Sequence, residues 1–372
     1  MVRVSDKIIS TLIDNGISDI FTVAGGGAIS LNDAIAKSRG MNYYSFHHEQ
    51  AVAMASEAYA RVKRDIGVSL VTTGPGGTNA ITGVVGSWID SIPHLVISGQ
   101  VYLSQTIQST GLRQLGSQEI NIIDIVKPIT KYAVLVKKKS EVIYQIEKAI
   151  FIAKQGRPGP VWVDVPMDIQ NGKLEANQFK KFKSEKSPLI KFSGDLDGEI
   201  AEIIDLLKNS NRPLVHIGQG VEIANGLDNL MEFVEKNNIP FVTARNANKL
   251  VDWSHGLYVG RPGTFAQRAA NFAVQNSDLY IAIGTRLSLP QTGYNSKDYA
   301  RNAIKVMVDI DKSELDKPTL DLDIKVHNDA KTFLTIINKK ISSSNFDFSD
   351  WAKVCNEWKI KYPVVLTEYK HQ

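Results

Sequence analysis

The sequence predicts an α/β protein built of two doubly wound parallel-sheet domains, and three observations carry that prediction. Short β-rich runs alternate with longer stretches of helical apolar spacing, as strand-helix-strand units require. The alternation is interrupted once, by a polar, lysine-rich stretch near the middle of the chain. At 372 residues, 43% of them hydrophobic, the chain is long enough to bury two cores of ordinary size.

The elements follow in order. Val4, Ile8, Ile9, Leu12 and Ile13 recur at helical spacing, with Ser5 or Asp6 placed to cap the start and Gly16 to end it. Strands are expected at Ile20 to Val23, Tyr43 to Phe46, Val68 to Thr72 and Leu95 to Ser98, the first three each running into a helix. Gln145 to Lys154 reads as a helix and Val161 to Val165 as a strand between Pro160 and Pro166, closing a first domain of residues 1–170. Residues 171–194 lack periodicity and carry Lys180, Lys181, Lys183 and Lys186 beside Pro188, so they read as an exposed linker. Such a lysine run can touch an acidic partner, but a solvated connector is the simpler reading. The second domain, residues 195–340, has a helix around Ile203 to Leu207, a strand Leu214 to Gly218 and a helix Leu227 to Asn237. Its further strands are Phe241 to Thr243, Leu279 to Ile283 and Ala303 to Val308. In residues 341–372, Trp351 and Trp358 stand seven apart and predict an amphipathic helix leading out of that domain.

Composition excludes several functions. Lys and Arg number 43 against 39 Asp and Glu, and the formal charge of +4 is spread along the chain, so no basic arm or stripe points to nucleic acid. No apolar run is long enough to span a membrane. The one cysteine, Cys355, can form neither an internal disulfide nor a cysteine-based zinc site, and the N-terminus lacks a signal-peptide core. The expectation is a cytoplasmic, reduced protein acting on a small molecule.

Doubly wound sheets bind ligands beyond the carboxyl ends of their strands, which directs the search to the residues just after each strand. Ala24-Gly25-Gly26-Gly27-Ala28 follows the first strand and His47-His48-Glu49-Gln50 the second. Thr73-Gly74-Pro75-Gly76-Gly77-Thr78-Asn79 follows the third and Gly99-Gln100-Val101 the fourth, so all four segments are expected to line one crevice. The glycine clusters suit close approach of an anion or a flat ring, although each alone also fits a tight strand-to-helix turn. Glu49 is placed for acid or base work, the plainer alternative being a first-turn glutamate that complements the helix dipole. No metal site is expected: His47 and His48 have no further ligands at suitable spacing. No serine sits in a G-x-S-x-G elbow, which argues against acyl-serine chemistry. Ile217-Gly218-Gln219-Gly220 is half of a dinucleotide loop, with Ile223 at the place of the third glycine.

In this order and spacing stand Val23 to Ile29 (VAGGGAI), His48 to Gln50 (HEQ), Thr73 to Asn79 (TGPGGTN), Gly99 to Val101 (GQV) and Gly156 to Pro160 (GRPGP). The set resembles the acetolactate synthase (large catalytic subunit) branch of the thiamine diphosphate-dependent enzymes. The resemblance runs from about residue 3 to 360, with further matches at Ala270-Asn271, Gln275 to Leu279, Gly284 to Arg286 and Val308 to Asp311. It implies a pyrimidine-binding domain followed by a Rossmann-like central domain. The family's third, diphosphate-binding domain carries a Gly-Asp-Gly with a later Asn-Asn. Here Gly194-Asp195 is followed by Leu196, and Asn237-Asn238 is too distant, so that domain is expected to be missing, with Mg²⁺ held by it or by a separate chain.

By the same resemblance, Glu49 would hydrogen-bond N1′ of the cofactor's aminopyrimidine and promote the imino tautomer that leads to the reactive ylid. The cofactor would supply the electron sink for decarboxylation of pyruvate or another 2-oxo acid, and the protein its orientation. Gly25, Gly26, Pro75 and Asn79 would contact the cofactor, and Gln118 in Ser117-Gln118-Glu119 corresponds to the active-site glutamine of the family's Phe-Gln-Glu. Departures are His47 for arginine, Ala24 for proline and Ser117 for phenylalanine. The last implies a roomier pocket and an acceptor bulkier than pyruvate. FAD is a second, less complete match: Arg157 corresponds to an arginine that contacts it, but the family's Met-His-Gly reads Arg261-Pro262-Gly263 and its Asp-Asp-Arg reads Leu289-Pro290-Gln291. A homodimer or tetramer is expected, with Ala51, Ala53, Ala55 and Ala58 in its interface, unless these only pack on the sheet. The expected activity is acetolactate synthase-like carboligation, with these 372 residues inactive without the missing diphosphate-binding domain. The alternatives are a catalytically silent fragment or partner subunit, or a related decarboxylase or oxidase.

Overall fold

Gly67–Val71, His94–Gln100 and Pro160–Pro166 are buried along their whole length, which is why they read as near-continuous apolar runs rather than alternating ones. They form the middle of a six-stranded parallel sheet. The computed structural model describes residues 1–108, 110–183, 190–366 and 368–369, and divides into two compact units, Met1–Leu189 and Ile190–Gln372.

In the first unit the strands are β1 (Asp19–Thr22), β2 (Asn42–Ser45), β3 (Gly67–Val71), β4 (His94–Gln100), β5 (Tyr132–Leu135) and β6 (Pro160–Pro166). Their order is β2-β1-β3-β4-β6-β5, and every neighbouring pair is parallel. The winding reverses between β1 and β3, so the crevice beyond their carboxyl ends is the switch point where such sheets take ligands. Helices α1 (Val4–Asp14), α2 (Ile29–Lys37), α3 (Glu49–Lys63), α4 (Pro75–Ile89) and α5 (Val142–Lys154) cover the faces. One core lies under α1, α2 and α5 and the other under α3 and α4, around Val52, Val84 and Trp162. Small residues bring α3 and α4 together: a Cβ at Gly83 would lie 2.6 Å from that of Ala53. Ala53 is therefore spent on packing within the unit, while Ala58 is exposed.

The expected linker of residues 171–194 is corrected in its first half. Lys173–Leu174 pairs antiparallel with Val2–Arg3, Phe179 enters the core, and Phe182 packs against Tyr144 and Phe151. Two phenylalanines anchor a segment whose lysines dominate its composition, and Lys180 itself pairs with Glu141 at 3.0 Å. Lys186 and Pro188 lie outside the described residues.

The second unit holds β7 (Pro213–Ile217), β8 (Phe241–Thr243), β9 (Tyr258–Gly260), β10 (Leu279–Ile283), β11 (Ile304–Asp309) and β12 (Ile324–His327). Their order, β9-β8-β7-β10-β11-β12, is the Rossmann arrangement, all parallel. The terminal helix Ser349–Lys361 does not lead away from this unit. Trp351 and Cys355 are buried in its core, and the Trp351 indole N–H donates to the Pro213 carbonyl at 3.1 Å. Among the described residues no helix is long and apolar enough to cross a membrane.

Candidate functional site

The two loops at the switch point of the first unit are built on each other. The Gly27 N–H donates to Thr72 Oγ1 at 3.0 Å, and a Cβ on Gly25 would lie 2.5 Å from that of Thr72. Only glycine allows that backbone approach. Gly74 caps α4 with φ +56, a conformation that favours glycine, and a Cβ there would overlap the Gln118 carbonyl oxygen. Pro75 then starts α4, where its missing N–H leaves no bond unmade.

Glu49 is the first residue of α3. Its neighbour His48 caps the helix, Nδ1 accepting from the Gln50 N–H at 3.1 Å. Glu49 as a whole is only 9% exposed, and its Oε2 accepts from Asn79 Nδ2 at 3.0 Å. A Cβ on Gly76 would come within 3.4 Å of Oε1 and 2.7 Å of Thr72 Cγ2, so glycine at 76 keeps the space beside that oxygen. A buried carboxylate held by one neutral amide gains strongly from a further donor brought by a ligand. A protonated ring nitrogen in a flat heterocycle is such a donor, and the glycine-lined backbone at 25, 26 and 76 suits a flat ring. These residues fit the aminopyrimidine of thiamine diphosphate.

The structure thus brings Gly25, Glu49, Pro75 and Asn79 to one crevice, and Gln118 to its border through the contact of its carbonyl with Gly74. Nothing stands within 4 Å of the position a Cβ on Gly26 would take. Gln118 has φ +58 and, like Ser117, is exposed. Arg157 is not part of this cluster: it precedes β6 at the opposite edge of the sheet, where its Nε donates to Ser91 Oγ at 2.8 Å.

Sequence reasoning missed Thr72, the post on which both glycine loops rest, and Asp164, a carboxyl fully buried in β6. Burial, reinforced by Glu119, pushes the Asp164 carboxyl up to about 7, against hydrogen bonds from Ser98 (2.6 Å) and Gln100 (3.0 Å) that pull it down. The signal was present as an acid inside the apolar run Val161-Trp162-Val163-Asp164-Val165.

In the second unit the loops at the switch point also meet. Gly220 N–H donates to the Gly284 carbonyl at 3.0 Å, and a Cβ on Gly218 would overlap Gly284. Gln291 reaches back to His216 Nε2 at 3.3 Å, and burial lowers the His216 pKa to about 3, so the ring is neutral.

Residues 2–125 match the family described as thiamine pyrophosphate enzyme, N-terminal TPP binding domain. Residues 200–337 match thiamine pyrophosphate enzyme, central domain, and the two together cover well over half of the chain. The chain belongs to the thiamine pyrophosphate enzymes. It is 31% identical over 370 residues to the acetolactate synthase large subunit of Lactococcus lactis, covering 99% of this chain and 62% of that protein. It is 32% identical over 360 residues to the acetolactate synthase large subunit of Buchnera aphidicola subsp. Schizaphis graminum, covering 95% of this chain and 61% of that protein. The acetolactate synthase isozyme 3 large subunit of Escherichia coli is 30% identical over 369 residues, with 97% and 62% covered. The chain therefore spans about three fifths of the length of these relatives. The glycine loops and the Glu49–Asn79 pair fall within the matched N-terminal domain.

Proposed function

We propose that the protein serves a thiamine diphosphate-dependent decarboxylation of pyruvate followed by carboligation, an acetolactate synthase-type reaction, with its first unit binding the aminopyrimidine. The observation that carries this is the buried Glu49 carboxylate, oriented by Asn79 and open at Oε1 beside glycine-lined backbone. The names of the relatives support the choice of reaction and of pyruvate as substrate.

Each residue has a defined part. Glu49 Oε1 accepts a hydrogen bond from the pyrimidine ring nitrogen and holds the proton there, an interaction strengthened by exclusion of water. Asn79 fixes the carboxylate that would receive the ring nitrogen. Gly25, Gly26 and Pro75 supply backbone for the ring to rest against, and Gln118 offers amide donors to the substrate carboxylate from the rim. The bound cofactor supplies an electron sink for the electrons released with CO₂. FAD and Mg²⁺ enter no step of this proposal. Assembly as a homodimer or tetramer is part of the reading, supported by exposed Met54, Trp88 and Ile89 on α3 and α4. A cytoplasmic location accords with the single, buried, free thiol of Cys355.

The test is product analysis with thiamine diphosphate, Mg²⁺ and pyruvate, a diphosphate-binding domain of the family being supplied with the chain. Acetolactate is the expected product, and Glu49→Gln is expected to lower its formation at least ~100-fold, the scale of a lost proton-holding group. Acetaldehyde or acetate in its place would favour a decarboxylase or an oxidase. Acetolactate formation unaffected by Glu49→Gln would refute the site.

A further inference from the structure

Gln100, the last residue of β4, is 2% exposed, and its carboxamide touches four separate groups. Oε1 accepts from the Thr73 hydroxyl and from the Val101 N–H at 3.0 Å. Nε2 donates to the Ile120 carbonyl at 3.2 Å and to Asp164 Oδ2 at 3.0 Å. Two lone pairs and two N–H bonds exhaust what an amide can offer. Thr73 opens the glycine turn that leads to Pro75, and Ile120 lies two residues beyond Gln118. One side chain therefore ties together the two loops that border the crevice.

Asp164 decides which way that amide faces. Its Oδ2 takes a donor, so Nε2 turns toward it and Oε1 toward Thr73. Asp164 is itself fixed by Ser98 Oγ at 2.6 Å, and Ser98 in turn accepts from the Trp162 indole N–H at 2.8 Å. The segment carrying Gln118 has little packing to hold it: Leu112 and Leu115 are half exposed, and a cleft of about 540 Å³ opens between Gln100, Glu119, Ile120 and Asp164. Hydrogen bonds take the place of a core. Besides Gln100, they include Glu119, whose carboxylate accepts from the Ile107 N–H at 3.0 Å and the Leu115 N–H at 3.4 Å.

We infer that Gln100, oriented by Asp164, is a positioning residue that sets where Gln118 stands relative to the Glu49–Asn79 pair. The inference rests on the proposed roles of Gln118 and Glu49, but the clamp itself can be read without catalysis. The experiment compares wild type with Gln100→Leu, of similar volume, and with the isosteric Asp164→Asn, using amide hydrogen exchange and pyruvate kinetics with thiamine diphosphate and Mg²⁺. In Gln100→Leu the amides of Ile107, Leu115 and Glu119 are expected to exchange roughly tenfold faster, the effect of losing one net hydrogen bond, whereas Asp164→Asn, which can turn Nδ2 to Ser98 and keep its carbonyl as the acceptor for Gln100, is expected to leave them within about threefold. In Gln100→Leu the amides of β3 and β4 should stay within about threefold, as expected of local opening. The KM for pyruvate should rise about tenfold with kcat changed less, since misplacing Gln118 weakens substrate binding first. Unchanged loop exchange in Gln100→Leu overturns the clamp, as does equal acceleration throughout the sheet, which marks a merely structural role. Faster loop exchange with an unchanged KM overturns the positioning role. If wild type turns over no pyruvate, the exchange arm still decides the clamp, and it is the proposed function that fails.

Discussion

Replacing Asp164 with asparagine should remove a pH dependence that a buried carboxyl builds into the stability of the first unit. Burial raises this group from its ordinary 3.8 to about 7 in the folded protein. At about 1.4 kcal/mol per pH unit, the gap amounts to about 4 kcal/mol. The sign follows from the direction of the shift. The unfolded chain releases the proton above about pH 4, whereas the folded chain keeps it until about pH 7. The contribution is fully present below pH 4, declines as pH rises toward 7, and beyond that the fold carries the whole cost of a buried charge. A proton on Oδ1 can be donated to Ser98 Oγ, so Oδ2 remains an acceptor for Gln100 throughout. The assay is hydrogen exchange of the central amides of β4 and β6 at pH 5 and pH 8, read as opening free energies for wild type and Asp164→Asn. Other groups titrate in both proteins and cancel in the difference. Wild type should lose about 2 to 4 kcal/mol more than the variant between the two pH values. Identical pH dependence in both proteins would mean that Asp164 does not keep its proton in the fold.

Gly74→Ala places a Cβ on a φ of +56 and against the Gln118 carbonyl, so chemical denaturation should show a loss of about 2 to 4 kcal/mol. An unchanged midpoint would show that the two loops do not meet as described. Asn79→Asp sets a second carboxyl 3.0 Å from Glu49, so one proton should be retained by the pair and the acid limb of the pH–rate profile should move upward. Burial pushes the Cys355 thiol well above its ordinary range, so a thiol-specific reagent should label it only on unfolding. Rapid labelling of the native protein would mean that the helix Ser349–Lys361 does not dock on the second core.

How legible these features were depended on where each element sits. Central strands such as Gly67–Val71 and Leu279–Ile283 are buried on both faces and announce themselves as apolar runs. The strands Tyr132–Leu135, Tyr258–Gly260 and Ile324–His327 went unread, and each lies at the edge of its sheet, where a short strand needs no continuous apolar pattern. The convergence of Gly25, Glu49, Pro75 and Asn79 followed from the βα alternation alone, because all parallel strands deliver their loops to one edge. What could not be read were contacts that depend on exact register. The support of the first glycine loop by Thr72, and the approach of the Gln118 carbonyl to Gly74, are relations between residues about 45 positions apart in the chain. The first half of the supposed linker was hidden for another reason. Lysine dominated its composition, while Phe179 and Phe182 supplied its anchoring.

The central claim is that Glu49 receives the aminopyrimidine of the cofactor, and saturation-transfer NMR of this chain with millimolar thiamine tests it most directly, since the method tolerates weak binding. Stronger saturation is expected on the pyrimidine protons than on the thiazolium protons, with loss of that preference in Glu49→Gln. Saturation centred on the thiazolium, or a pyrimidine signal indifferent to the Glu49 substitution, would contradict it.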